Sequence, residues 1–341
     1  MNSAIVLQKL AKPVTKGEPS GLSFFTLPRR ILPMPQKTFY TFEQQINHLK
    51  SKGLIIPDKE YAKATLKQIG YFPLIDGYKQ LFRIPFTKAY KQGTTFNEIV
   101  ALYEFDSDLR ELFFKYLLQI ERHLRSLTSY YFTEKYGELQ TAYLDNRNYN
   151  LNKSTQGTIS RLISTLQRAV NTTDYEFINY YRTIYNNIPL WILVSILTFG
   201  NLSKMYQVFP QSLQTKVCKN FENVNRKQMQ QFLSVLTKFR NVCAHSERLF
   251  TYRTRDAISD LPLHHNMSIP KQGIQYQYGK NDLFAVVIAF RYLLPDKDFL
   301  IFRKRLIQLI NAISKKLTHL NNHDLLEKMG FPQNWKTIAR Y

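Results

Sequence analysis

The sequence predicts an all-α protein, and three observations lead to that prediction. Apolar residues recur at spacings of three and four over long stretches, which is the period of a helix with one buried face. Little of the 341-residue chain alternates polar and apolar residues as a half-buried strand does. The hydrophobic fraction of 44% is sufficient for a buried core, so we expect most of the chain to fold.

The N-terminal region divides into an arm and two short helices. Residues 1–36 are rich in Pro, Gly and Lys, which favours a basic arm over a packed unit. The first helix is expected to begin after Thr41, a residue suited to the N-cap, and to stop near Gly53. A second short helix precedes QIGYFPLIDGYKQLFR, where Gly and Pro residues predict a loop or a short strand.

The clearest helical pattern begins at TTFNEIV and continues as one long amphipathic helix. Its apolar positions are Leu109, Leu112, Phe113, Tyr116, Leu117, Ile120, Leu124 and Leu127. Further helices are expected around residues 155–170, 175–186, 189–206, 211–220, 226–248, 281–293 and 297–317. The stretch IPLWILVSILTFG is too short to cross a membrane and predicts a buried helix. We expect a helical domain over 37–260 and a linker with a C-terminal helical extension over 261–341.

The net charge of +22 is large and indicates a polyanionic partner, either nucleic acid or an anionic membrane surface. Aromatic residues make up 14% of the chain and favour nucleic acid, because rings can stack on unpaired bases, although most are expected in the core. A membrane-surface sensor is the less supported alternative, since no strongly amphipathic arm is present. Only two cysteines and no signal peptide predict a cytoplasmic protein without disulfides.

The stretch FRNVCAHSERLF, residues 239–250, carries an unusual polar face at the end of a predicted helix. At about 100° per residue, four polar residues fall on one side, opposite the apolar positions. They are Arg240, Asn241, His245 and Arg248, with the small Ala244 between them. A small residue there would allow close approach of a substrate or of a partner helix.

This set of side chains suits cleavage of RNA without a metal ion. RNA supplies its own nucleophile, the 2′-hydroxyl, so the protein has to move protons and stabilise charge on the phosphorus. Histidine titrates in the useful range, and the planar arginine fork binds phosphate oxygens. Asn241 could orient His245, which lies four residues later. A single histidine is an incomplete acid–base pair, and a twofold dimer would supply the second. The spacing alone leaves open a solvated or core-satisfied histidine.

RNVCAH also matches the pattern R-N-x-x-x-H and resembles the ribonuclease motif of HEPN domains, which are helical modules. Five stretches strengthen the likeness, because they occur in the order expected of Abi-like abortive infection proteins of the AbiD/AbiF type. They are QINHLKSKGLII, LKQIGYFPLIDGYKQLFR, FNEIVALYEFDSDLRELFFKYLLQIERHLRS, PLWILVSILTFGNLSKMY and FRNVCAHSERLF. The resemblance covers roughly residues 40–255 and implies a HEPN-like helical bundle with added N- and C-terminal helical elements.

The resemblance further implies an endoribonuclease used against phage, in which Arg240 contacts the scissile phosphate, His245 acts as acid or base and Asn241 supports the geometry. It implies a homodimer and a toxin kept with a small non-coding RNA. The charge of +22 suits a stably bound RNA. One departure is Ser195, where many relatives carry an acidic residue. Its presence keeps open the alternative of a non-cleaving RNA-binding module.

Other basic residues are candidates for RNA contact, and they are Arg248, Arg125, Lys79, Arg83, Arg303, Lys304 and Arg305. In IERHLRS, Glu121 and Arg125 are spaced for a surface ion pair, or else Glu121, His123 or Arg125 faces the cleft opposite Arg240, as helices of this family pack. Aromatics interleaved with bases around Lys79 and Arg83 would stack on single strands or pack in the core.

Cofactors and metal ions are not expected. A zinc site would have to draw on Cys243, His245, His264 and His265, whose spacing matches no common zinc pattern. Cys243 also falls on the apolar face of its helix. The sequence contains neither a Gly-rich phosphate loop nor a Ser–His–Asp signature.

Overall fold

The computed structural model describes residues 38–340, and from residue 41 these form one compact unit. The predicted arm over 1–36 lies outside the described residues. The all-α prediction is confirmed, because the paired strands in the described range are limited to a short antiparallel hairpin. The hairpin joins β1 (Lys271–Gln272) to β2 (Gln275–Tyr276), with Lys271 opposite Tyr276. Within 38–340, no helix is long and apolar enough to cross a membrane.

Helices follow one another along the whole described range. The α-helices are α1 (Phe42–Ser51), α2 (Lys59–Ile69), α3 (Phe96–Tyr136), α4 (Gln140–Leu144), α5 (Gln156–Asn171), α6 (Glu176–Tyr185), α7 (Leu190–Leu193), α8 (Phe199–Val208), α9 (Gln211–Cys218), α10 (Arg226–Ala244), α11 (Pro262–Asn266), α12 (Leu283–Leu293), α13 (Asp296–Ser314) and α14 (Asn322–Met329). Short 3₁₀ helices lie at Lys79–Phe82, Asn146–Asn148, Val194–Ile196 and Trp335–Arg340, and a π-helical turn lies at Phe72–Asp76.

The first helix follows the sequence prediction closely. The Thr41 hydroxyl accepts a hydrogen bond from the Gln44 amide at 3.3 Å, and the Gln44 side chain accepts one from the Thr41 amide at 2.9 Å. This reciprocal capping satisfies two amides that the first turn leaves unpaired. The helix stops at Ser51, two residues before Gly53, whose φ of +85° favours glycine.

Helix α3 is the centre of the unit and spans 41 residues. Its apolar face is buried along its length, as the spacing of Leu109, Phe113 and Ile120 predicts. Helices α10 and α13 pack directly against α3, and α12 packs against α10. The helices that follow residue 261 therefore complete the core around α3, and that core is continuous across residue 260.

Two predictions about secondary structure, one before α3 and one after it, are wrong. The stretch after Gly70 forms helical turns rather than a loop or strand, because Pro73 sits in the first turn of the π-helical segment, where its missing amide hydrogen costs nothing. The helix expected over 189–206 is broken at Leu197, whose backbone is extended (φ −75°, ψ 142°). Trp191 and Ser195 are exposed, so IPLWILVSILTFG is only partly buried.

Glu98 joins the start of α3 to the loop after α13. Its carboxylate accepts hydrogen bonds from the Thr95 amide at 3.0 Å and from the amide and hydroxyl of Thr318, both at 2.8 Å. The amide of His319 adds a further bond at 3.2 Å. Burial alone would raise the pKa of Glu98, but these donors outweigh it and lower the pKa to about 2.

Glu98→Gln should lower the free energy of unfolding at neutral pH by about 2 kcal/mol, because charged hydrogen bonds become neutral ones. Since the folded pKa lies below the unfolded value of about 4.3, the stabilising contribution is present above that pH. It is lost as the pH falls towards about 2. Denaturant unfolding between pH 7 and about pH 2.5 should therefore show the two proteins converging in acid.

The matched control is Glu222→Gln, which alters an exposed glutamate that forms no ion pair within residues 38–340. It should follow the wild-type profile at every pH. A Glu98→Gln variant that keeps wild-type stability at neutral pH would contradict the assignment.

Candidate functional site

The motif residues lie at the C-terminal end of α10. The N-cap of the helix is Asn225, whose side chain accepts a hydrogen bond from the Gln228 amide at 2.9 Å. Its apolar side is buried in the core and includes Phe239, Val242 and Cys243. On the other side, Arg240 is half-buried, whereas Asn241, Ala244 and His245 are exposed. The polar face predicted by the helical period is therefore present.

Helix α10 ends four residues earlier than predicted. Ala244 is the last helical residue and His245 is the C-cap. The amide of Glu247 donates to the carbonyl of Val242 at 3.0 Å, and the amide of Ser246 donates to that of Cys243 at 3.3 Å. These two bonds form a Schellman closure, which requires a left-handed residue, here Ser246 with φ +54°. The prediction that Arg248 lies on the helix is therefore wrong.

Arg240 is held in place by α3. Its Nε donates to Glu121 Oε2 at 3.3 Å, and its guanidinium carbon lies 5.6 Å from the ring centre of Phe114. The side chain remains 24% exposed. Within residues 38–340 its two Nη groups form no hydrogen bond, so they are available to an anionic ligand. A guanidinium fixed through Nε and open at both Nη groups suits binding of phosphate oxygens.

Glu121 is the buried partner of two arginines, with only 1% of its side chain exposed. Arg125 donates from Nη2 to Glu121 Oε1 at 2.5 Å and to the carbonyl of Leu197 at 2.8 Å. A carboxylate in the interior needs such donors, because its desolvation is costly. Glu121 and Arg125 do form the ion pair that their spacing predicts. Because Glu121 also pairs with Arg240, this ion pair is connected to the motif.

His123 of the same stretch lies elsewhere. Its ring is 5.1 Å from that of Phe221, and partial burial lowers its pKa. Helical geometry explains the separation, because residues two apart point about 200° away from each other around the axis. Within IERHLRS, the contact with Arg240 is therefore made by Glu121, and Arg125 reaches the motif through Glu121.

Asn241 and His245 present their side chains to solvent. The carbonyl of Asn241 accepts a hydrogen bond from the backbone amide of His245 at 2.9 Å, as part of the helix end. Their side chains form no hydrogen bond with each other or with another residue of the described range. Orientation of His245 by the Asn241 side chain therefore stays a prediction.

A second buried carboxylate fixes the chain that follows the motif. Asp106 accepts hydrogen bonds from the amides of Leu249 at 3.0 Å and Phe250 at 2.7 Å. Arg110 and the hydroxyl of Tyr78 also donate to Asp106, each at 2.7 Å. Sequence analysis missed this residue, although an aspartate on the apolar face of a long helix is a signal for an internal anchor.

The remaining predicted RNA-contact residues are distributed over several elements. Arg83 and Arg248 line one groove, and Arg248 donates to the carbonyl of Gly77. Lys79 pairs with Asp76. On α13, Arg303 donates to the Lys336 carbonyl at 2.8 Å, whereas Lys304 and Arg305 are exposed. The structure thus unites Arg83 with Arg248, and leaves Lys304 and Arg305 on a separate exposed helix surface.

Of the four residues considered for zinc, Cys243 and His264 are buried, whereas His245 and His265 are exposed. Cys243 is buried on the apolar face of α10, and burial raises the pKa of its thiol to about 12. His264 is fully buried, where Nδ1 accepts from the Leu261 amide at 3.1 Å and Nε2 lies 2.9 Å from the Gly279 carbonyl. Because Nδ1 is an acceptor there, Nε2 carries the proton, and both nitrogens have partners.

Glu121→Gln retains the size of the side chain and removes its charge. We expect the free energy of unfolding to fall by about 2 kcal/mol, because two half-buried arginines lose their counter-ion. In a double-mutant cycle with Arg240→Ala, the double variant should lose about 1 kcal/mol less stability than the sum of the two single losses. Chemical denaturation of the four proteins measures both quantities.

Glu134→Gln is the matched control. Glu134 is exposed on the same helix, α3, and pairs with Lys216 of α9. The substitution should change stability little, since exposed ion pairs contribute little. Equal effects of the two substitutions would mean that Glu121 does not stabilise the motif through its charge.

Comparison with known families was informative for the central part of the chain. A family model described as Abi-like protein matches residues 64–251. No curated protein and no solved structure matches the chain. The matched range extends from α2 past the end of α10 and includes Glu121, Arg240 and His245. Since it covers more than half of the sequence, this chain belongs to the Abi-like protein family.

Proposed function

We propose that this protein is an RNA-binding endoribonuclease of bacterial abortive infection defence, acting in the cytoplasm through a HEPN-type site. The observation that carries the proposal is the end of α10, where Arg240 is fixed by the buried Glu121 and the exposed His245 follows five residues later. Membership of the Abi-like family supports a role in abortive infection. The net charge of +22 supports a polyanionic partner.

The proposed reaction uses the 2′-hydroxyl of RNA as the nucleophile and the side chains of Arg240 and His245. The 2′-hydroxyl attacks the adjacent phosphorus, and an imidazole accepts its proton. The bond to the 5′-oxygen breaks, and that oxygen takes up a proton. The products are a 2′,3′-cyclic phosphate and a 5′-hydroxyl. Arg240 would stabilise the charge that develops on the phosphorane oxygens, through the Nη groups that Glu121 leaves unbound.

A homodimer would complete this site. One chain provides one motif histidine, His245, whereas the reaction needs a group that accepts a proton and one that donates a proton. A twofold axis beside the end of α10 would bring two copies of Arg240 and His245 together. The exposed Ala244 between them would allow close approach. We further propose a small non-coding RNA as the resident partner, because affinity for a polyanion grows with each phosphate neutralised.

A non-cleaving RNA-binding complex is the second candidate, and a specific observation favours it. The resemblance implies an acidic residue in many relatives about where this chain has Ser195, whose hydroxyl donates to the Ile192 carbonyl at 2.6 Å. The buried acid that contacts the motif is Glu121, and both of its oxygens are occupied by arginines. Glu121 thus serves as an anchor, and proton transfer depends on His245 alone in each chain.

His245→Ala distinguishes the two candidates. For a nuclease, cleavage of a labelled RNA should fall by a factor of about 10²–10⁴, the usual contribution of an acid–base group. RNA affinity should stay within about threefold, because the loss of one surface contact costs under about 0.7 kcal/mol. Gel-based cleavage and fluorescence anisotropy measure the two effects separately.

His265→Ala is the matched control, since His265 is an exposed histidine on α11, outside the motif. It should leave both readouts unchanged. If His245→Ala weakens binding in a salt-dependent manner while the wild type cleaves nothing, the binding module is correct and the nuclease is not.

A further inference from the structure

Two adjoining cavities form one groove along the segment that follows α10. The first has a volume of about 570 Å³ and the second about 470 Å³. They share three lining residues, which are Thr251, Glu327 and Lys328. The groove therefore runs continuously from the 3₁₀ turn Lys79–Phe82, past α14, to the hairpin β1–β2. We call it the basic groove.

The basic groove carries an excess of positive charge. Its cationic lining residues are Arg83, Lys91, Arg248, Arg253 and Lys328, and its acidic ones are Asp324 and Glu327. None of these five cations forms an ion pair with another residue of the described range. By contrast, Arg110, Arg125 and Arg291 are each paired with a carboxylate. The net positive charge of this concave surface would concentrate anions there.

Aromatic side chains accompany these cations. Tyr278 lies half-buried in the wall of the second cavity. Phe86 is fully exposed and follows Pro85 of the first cavity in the chain. Its φ of +60° is unusual for a large side chain, so the turn holds the ring outward at a cost in strain. Rings presented in this way can stack on unpaired bases.

The position of the basic groove links it to the motif. Arg248, Thr251 and Arg253 follow His245 within the same segment, and Asp106 fixes that segment through the amides of Leu249 and Phe250. An RNA strand that follows this segment away from the motif would pass Arg248, Thr251 and Arg253. Each cavity falls in the volume range of sites for small organic ligands, which accommodates a nucleotide.

We propose that the basic groove, which is lined by the segment that follows the motif, holds a single-stranded RNA segment of about two nucleotides. This inference rests on the proposed function and specifies its substrate class. A duplex keeps its bases stacked inside and is recognised across its minor groove, so it would leave Phe86 and Tyr278 without partners. A single strand presents both phosphates to the cations and bases to the rings.

The test compares two charge-matched triple variants in a His245→Ala background, which prevents cleavage during binding. The groove variant is Lys91→Gln, Arg253→Gln and Lys328→Gln. The control variant is Lys153→Gln, Arg161→Gln and Lys219→Gln, three exposed residues that line neither cavity. Fluorescence anisotropy with an unstructured RNA of about twelve nucleotides, over a range of salt concentrations, gives affinity and salt slope.

The groove variant should bind at least tenfold more weakly at physiological ionic strength. Its slope of log K against log salt should become shallower by about 2, since each single-strand phosphate contact contributes about 0.7. The control should lose less than about threefold, because distant charges are screened. Phe86→Ala should weaken binding of the single strand and leave binding of a blunt duplex unchanged.

Equal losses in the two triple variants, or equal sensitivity of the duplex, would overturn the proposal. The outcome is separable from that of the nuclease proposal. If the wild type cleaves RNA and the groove triple variant, made in a chain that keeps His245, cleaves it equally fast, only the groove proposal is wrong. If the groove variant binds weakly as expected but the wild type cleaves nothing, only the nuclease is wrong.

Discussion

The structure depends on the requirement that carboxylates buried along α3 be given hydrogen-bond donors. Glu98, Asp106 and Glu121 are all buried on this one helix, and each binds a segment that is distant in sequence. Glu98 holds the loop after α13, Asp106 holds the chain after α10, and Glu121 holds Arg240 of the motif. The apolar face of α3 supplies the core, and these three residues fix what lies around it.

This arrangement anchors one end of α10 and leaves its polar side chains exposed to solvent. Behind the motif, Glu121 fixes Arg240 and Asp106 fixes the segment at Leu249. Between these two anchors, the helix closes through Ser246 in a left-handed conformation, which costs a serine on the order of 1 kcal/mol. His245 lies at that closure and faces solvent. A fixed guanidinium and an exposed imidazole at the same helix end are the two groups that the proposed chemistry uses.

The sequence predicted the helices and the exposed face of the motif, because both follow from the spacing of apolar residues. The period through Leu109 and Ile120 was correct for this reason, and the Thr41 cap was correct because threonine suits that position. The end of α10 was missed because Ser246, rather than glycine, occupies the left-handed position. The break at Leu197 was missed because the Arg125 guanidinium satisfies its carbonyl, and such a long-range contact leaves no local signal. That Glu121 contacts Arg240 while His123 packs on Phe221 likewise depends on how the helices pack.

The central claim is that the 2′-hydroxyl of RNA is the nucleophile at a site built from Arg240 and His245. The most direct measurement is the chemical nature of the ends produced when the purified protein is incubated with RNA. The account predicts 2′,3′-cyclic phosphate and 5′-hydroxyl ends, with no cleavage at a position where a single 2′-deoxynucleotide is placed. Cleavage that leaves 3′-hydroxyl ends, or that proceeds across the 2′-deoxy position, would contradict it.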